Sequence, residues 1–166
     1  MATKNDFTPE EWKTLLDGTV LSGLAVTAAE PNGIIGLVKE SFAASQALIE
    51  GRRGANELIR SIVEDFETSQ GRTDAREALK ARLGANVDAS VLKAKSIETL
   101  REVAAILEAK APQDAPAVKE WLYHISQKVA DAASEGGNFL GFGGVKVSDA
   151  EKATLSEISG ALKLAA

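Results

Sequence analysis

Five carboxylates stand where a chain reversal meets a helix end: Glu30 and Glu40 in the N-terminal quarter, and Glu135, Asp149 and Glu151 near the C-terminus. Acids at the end of one helix and the start of the next can converge, together with turn carbonyls, on a hard divalent cation, which takes oxygen ligands. The spacing is not that of an EF-hand. An acid in the first turn of a helix also complements the helix dipole without any ligand. Glu151 has a further local explanation, because it follows Ser148 by three residues in the pattern of a capping box. Cation site and helix complement both stand as readings of these acids, and no cofactor beyond a divalent cation is implied.

The other stretch that looks chemical is glycine-rich. Five glycines fall between Gly136 and Gly144, with Phe139, Leu140 and Phe142 among them. A P-loop needs a strand, then Gly-x4-Gly-Lys-Ser/Thr opening a helix. Here Lys146 follows Val145, and the next helix signal waits until Ser148. The dinucleotide fingerprint fails as well, since Gly141-Phe142-Gly143 lacks its third glycine and any βαβ surroundings. Two uses of the loop remain. Its apolar residues either fold back over helix ends, with glycines supplying the backbone freedom, or they are presented to a protein partner or a membrane surface.

Other reactive side chains are scarce. The chain has no cysteine and a single histidine, His124, so thiolate chemistry, a triad and a typical zinc site are excluded. Arg72 and Arg76 share a helix face, but Asp74 and Glu77 lie beside them, as on a solvated face with local ion pairs. Carboxylate acid–base work would need a paired, partly buried acid, and spacing nominates none. The expectation is a protein that is not an enzyme.

The elements that must position these groups are helical nearly throughout. Thr8-Pro9-Glu10-Glu11 supplies an N-cap hydroxyl, a proline at the first helical position and a glutamate at the third, with Phe7 and Trp12 as a hydrophobic staple. Apolar residues then recur at spacings of three and four from Trp12 to Leu24, and Asp17-Gly18 is a place where this run is expected to divide. Pro31-Asn32-Gly33 is a turn. Further helices are expected through Phe42, Gln46 and Ile49 to Gly51, and through Ile59, Ile62, Val63 and Phe66 to Gly71. Others are expected from a Thr73 cap to Gly84, from behind Ser96 to before Pro112, along Val118 to Ala132, and from Ser148 through Leu162. Strand-like alternation is nearly absent. The pattern predicts an all-α fold, a single-domain bundle of seven to nine helices over residues 1–166.

Composition agrees. At 166 residues and 45% apolar content the chain is large enough for one self-sufficient core. Its net charge is −5, and although every arginine lies between Arg52 and Arg101, residues 51–110 carry 11 basic against 10 acidic groups. A basic surplus with aromatic stacking partners is therefore missing, and nucleic acid is not an expected partner. Neither a signal core nor a membrane-length apolar run is found, so a cytoplasmic protein without stable membrane insertion is expected.

Two segments echo one another. Ala28–Leu37 (AAEPNGIIGL) and Ala133–Phe142 (ASEGGNFLGF) share an acid, a turn, two apolar residues, a glycine and a further apolar residue, and each follows a helix bearing a Glu-Trp pair, Glu11-Trp12 or Glu120-Trp121. A pseudo-duplicated helix–loop–helix follows from this pattern. With these residues the chain resembles the TerB-like family of bacterial helical domains associated with tellurite resistance. The matching positions are Ala28-Ala29-Glu30 with Gly33 and Glu40, and Ala133-Ser134-Glu135 with Gly136, Glu151 and Leu155. The family's turn acid is aspartate where this chain has glutamate, and the second loop is enlarged. The resemblance implies a non-catalytic module for interaction or stress response, with metal or metalloid challenge as the setting. The alternatives are a divalent-cation-binding or sensing domain using the loop carboxylates, and a protein that docks through Phe139, Leu140 and Phe142.

Overall fold

The computed structural model describes residues 1–29, 47–48, 50–54, 56–84, 88–135 and 147–164, with only the backbone of 133–135. Among these residues no strand occurs. A 3₁₀ turn, Lys4–Asp6, precedes six α-helices: α1 Pro9–Thr27, α2 Glu57–Glu67, α3 Ser69–Leu83, α4 Ala89–Lys110, α5 Ala115–Glu135 and α6 Asp149–Ala161. Residues 47–48 and 50–53 are also helical. No described helix is long and apolar enough to cross a membrane. The all-α bundle expected from the periodicity is what forms.

Helix α1 is the centre of the bundle, packed against α3, α4, α5 and α6. It starts as its sequence dictates. Thr8 Oγ1 accepts from the Glu11 amide at 3.2 Å, and Glu11 Oε2 accepts from the Thr8 amide at 2.8 Å. The Phe7 and Trp12 rings close the staple at 5.8 Å between centroids. The expected division at Asp17-Gly18 does not occur, and α1 runs through it unbroken. The reason lies in another helix. A Cβ at Gly18 would stand 2.6 Å from Val103 Cγ2, so the glycine is a place where α4 approaches α1 closely rather than where α1 ends. The contact with α5 is made around Gly23, where a Cβ would meet Val129 and Ile125, and by Ser126 Oγ, which donates to the Ser22 carbonyl at 2.9 Å.

Buried on nearly all sides, α1 carries hydroxyls that must find partners locally. Thr19 donates to the Leu15 carbonyl at 2.9 Å and Ser22 to that of Thr19 at 2.8 Å. The core around it is built from Leu15, Leu21, Leu58, Ile62, Leu100, Leu107, Leu122, Ile125, Ile158 and Leu162, all fully buried.

Three boundaries differ from expectation. Gly71 does not end the second helix; α2 stops at Glu67, and Thr68 caps α3 by accepting from the Gly71 amide at 2.9 Å. Gly71 is needed there because a Cβ would run into the Asp65 carbonyl. Thr73, expected as the cap, lies inside α3 and donates to the Ser69 carbonyl. Ser96 likewise lies inside α4, whose cap is Asp88, eight residues earlier, accepting from the Val91 amide at 2.8 Å. At Thr73 and Ser96 a hydroxyl that could cap instead bonds the carbonyl four residues back, an alternative open to any Ser or Thr within a helix. The stop at Gly84 holds, with φ +82°.

Candidate functional site

Of the five acids read as cation ligands, Asp149 and Glu151 have described side chains, and they point apart. Asp149 is exposed and pairs with Lys152 at 3.2 Å. Glu151 is only 2% exposed. Its Oε2 accepts from the Ser148 amide at 2.7 Å while Ser148 Oγ accepts from the Glu151 amide at 3.2 Å, so the expected capping box forms. Its Oε1 is buried and has no hydrogen-bond partner among the described residues. Glu135 is the last residue of α5, and its side chain lies outside the described residues, as do Glu30 and Glu40. Phe139, Leu140 and Phe142 lie outside them too. Among the described residues, no three of His, Cys, Asp and Glu are grouped so as to hold a metal ion.

A different constellation comes together at the start of α1. A cleft of about 360 Å³ runs along the α1 face formed by Pro9, Trp12, Lys13 and Leu16, and Lys4, Phe7, Asp65 and Asp74 also line it. The helical spacing of the first four sets them in one row. Asp65 stands in the last turn of α2, where the helix dipole disfavours an anion, and two donors from elsewhere converge on it. Trp12 Nε1 donates to Asp65 Oδ2 at 2.6 Å, and Lys4 Nζ donates to the same oxygen at 2.7 Å. The Lys4 ammonium also lies 5.5 Å from the centroid of the Trp12 ring, within cation–π range. Asp74 faces the cleft from α3, with Oδ1 accepting from Gln70 at 2.7 Å. An indole face beside carboxylates suits an organic cation.

Farther along α1, Asp17 and Arg82 join three helices. The Arg82 guanidinium reaches Asp17 Oδ2 at 2.9 Å through Nε, Glu102 Oε2 at 2.9 Å through Nη1, and Thr14 Oγ1 at 3.3 Å through Nη2. Lys95 Nζ donates to the Arg82 carbonyl at 2.6 Å. Burial pushes the Asp17 carboxyl above its ordinary range, against the pull of the guanidinium. A buried carboxyl of this kind in a cleft is a place to look for catalysis. However, Oδ2 is taken by Arg82 and Oδ1 is sealed from solvent with no partner among the described residues, so a substrate would meet neither oxygen.

Two further charged clusters are ties between elements. Glu108 accepts from Lys119 at 2.6 Å and from Lys163 at 2.7 Å, and these hydrogen bonds, Lys119's first, hold its carboxyl at about 2. His124 Nε2 lies 3.1 Å from Glu50 Oε2, and the histidine's hydrogen bond lowers the Glu50 carboxyl. Arg72, read as part of a solvated face, donates to the carbonyls of Phe66 and Glu67, capping the C-terminus of α2.

Sequence reasoning missed the Lys4–Trp12–Asp65 and Asp17–Arg82 groupings. Trp12 and Asp65 are 53 positions apart and Asp17 and Arg82 are 65 apart, and no local spacing rule joins them. The one available signal was an aspartate inside an apolar helical run, Asp17, which calls for a cation from elsewhere. Comparison with family models, with curated proteins and with solved structures finds no match for the chain.

Proposed function

We propose that this chain is a non-catalytic helical interaction module of the TerB-like type, acting in a response to metal or metalloid stress. The observation that supports it is how the buried charges are used. Asp17, Asp114, Lys119 and Glu151 are the charged side chains buried among the described residues, and each serves a structural tie. Asp17 joins α1 to α3, and Lys119 joins α5 to α4. Asp114 receives the Ala2 amide at 2.7 Å and Asn56 Nδ2 at 2.8 Å, gathering the N-terminal segment and the cap of α2 at the start of α5. Glu151 closes a capping box. Acid–base catalysis would instead draw on a buried carboxyl able to reach substrate. A screen of the purified chain against hydrolase and transferase substrates is expected to show no turnover, and reproducible turnover sinks the reading. The stress role is tested by comparing survival on tellurite of the native host with and without the gene; equal survival removes it.

A second reading is supported by Glu151. A buried carboxylate oxygen without a donor is costly, and a divalent cation bound by Glu151 with the loop acids other than the outward-facing Asp149 would supply its missing partner. Calorimetric titration with calcium, magnesium, manganese and zinc, alongside thermal melts, decides it. Neither heat nor a rise in Tm with any of the four is the result that removes the cation.

A further inference from the structure

We infer that the cleft at the start of α1 binds a basic side chain, lysine or arginine, presented by an extended segment of a protein partner, and that Lys4 is its internal competitor. The inference rests on the interaction-module reading above and says what such a module would recognise. The geometry is that of a cation site already in use. The Lys4 ammonium donates to Asp65 Oδ2 at 2.7 Å and stands 5.5 Å from the centroid of the Trp12 ring. These are the two contacts by which a protein takes up an ammonium or guanidinium: a carboxylate and an aromatic face.

The fixed part of the site is set by the fold. Trp12 is buried, and its indole N–H is bonded to Asp65, which holds the carboxylate in place whether or not an ammonium is present. Lys4, by contrast, is exposed and belongs to the short segment before α1, so its side chain can leave without disturbing a helix. That segment has anchors of its own: the Ala2 amide on Asp114, the Thr3–Asp6 hydrogen bonds, and the Phe7 ring on Trp12.

Charge and shape favour a side chain carried on a polypeptide. With Lys4 withdrawn, the cleft presents Asp65 and Asp74 against Lys13 alone, a net negative lining. The chain's net charge of −5 adds attraction at longer range. Beyond the cation position, the cleft continues over Phe7, Pro9 and Leu16, an apolar floor that a small free amine would leave uncovered.

The test reads the site directly, through the indole N–H resonance of Trp12 in a nitrogen-15-labelled protein, which is distinct from that of Trp121. The probes are a blocked Gly-Ser-Lys-Ser-Gly pentapeptide, its glutamine counterpart and n-butylammonium. In Lys4→Ala the lysine peptide is expected to shift the Trp12 resonance saturably, with a Kd of ~1 mM, typical of a single anchoring side chain. The wild type is expected to bind it about three- to fivefold more weakly, because Lys4 must first be displaced. Asp74→Asn in the Lys4→Ala background should weaken binding several-fold, while circular dichroism and a cooperative melt confirm that both variants fold. No saturable shift in Lys4→Ala overturns the inference, and so does an equal response to the glutamine peptide. Butylammonium binding as tightly as the lysine peptide overturns the polypeptide partner. Each of these removes this cleft as the docking place and leaves the non-catalytic reading standing, which fails only on turnover.

Discussion

Helices α1 and α3 lie against one another, yet they are kept in place by opposite means. The buried residues of α1 include Trp12, Leu15, Leu16, Leu21, Ala25 and Val26, and its neighbours close in on glycines. On α3 only Gly71 and Ala75 are buried. What α3 lacks in apolar contact is supplied by polar ties at its ends, with Arg82 reaching into α1 and α4 and Arg72 capping α2. Burial of apolar area is non-directional and grows with the surface removed from water, whereas a guanidinium fork depends on a few distances. The contrast identifies α3 as the element most sensitive to single polar substitutions and the α1 layer as the one most sensitive to volume.

The comparison can be broken at several points. The largest loss is expected from Leu100→Ala, which opens a cavity beside Gly18 in the α1–α4 contact. Leu100 is fully buried, and unfolding in urea should show a deficit of about 2–5 kcal/mol. Next comes Arg82→Met, which leaves the Asp17 carboxyl buried without its cation. The expected deficit is about 2–3 kcal/mol at neutral pH, below the usual range for a wholly buried pair because Arg82 is partly exposed.

That deficit carries a pH signature. Burial already raises the Asp17 carboxyl, and losing Arg82 raises it further. A group whose folded pKa lies above its unfolded value penalises the folded state at high pH, and the penalty recedes as pH falls through the folded pKa. The gap between Arg82→Met and wild type should therefore narrow in acid. A gap that stays constant, or widens, would show that Arg82 acts through packing of its stem rather than through Asp17.

Gly18→Ala should cost about 1–2 kcal/mol, net of the better helix propensity of alanine, because the new methyl meets the stiff, β-branched Val103. Val103→Ala in the same chain should recover part of that loss if close approach is the cause, and a denaturation double-mutant cycle measures the recovery. The smallest effect sharpens the contrast from a third side. Glu108 ties α4 to Lys119 on α5, so a polar tie here joins two helices that each bury an apolar face in the core. With its folded value lowered to about 2, its stabilisation is complete above the ordinary carboxylate value near 4.5 and is lost as pH falls from there toward 2. Glu108→Gln should remove that part of the acid sensitivity and make little change to the rest of the melting profile.

Much of the architecture was legible in order along the chain. The capping boxes at Thr8 and Ser148, the Phe7–Trp12 staple, the stop at Gly84 and the long apolar helix after Pro112 all form as read. The caps, the staple and the stop are signals confined to about one helical turn, and the helix after Pro112 is a periodicity carried along one continuous segment. The glycines were harder, because a glycine that ends a helix and a glycine that admits a neighbour look alike in one dimension. Gly18 and Gly71 were read as breaks, and Val103 and the Asp65 carbonyl are the reasons they are not. Of the carboxylates, Glu151 was legible as a cap, while Asp17, Asp65 and Asp114 acquired their roles from cations and amides far away in the chain.

The sequence by itself determined the helical class, where most helices start and stop, and the scarcity of catalytic side chains, because these depend on residue type and on contacts within a turn. The tertiary structure decided which carboxylates are buried, which glycines are contact points, and that Lys4, Trp12 and Asp65 share one cleft. Those outcomes depend on residues 8 to 112 positions apart, and only the packing of whole helices, driven by burial of their apolar faces, brings such residues within hydrogen-bond reach.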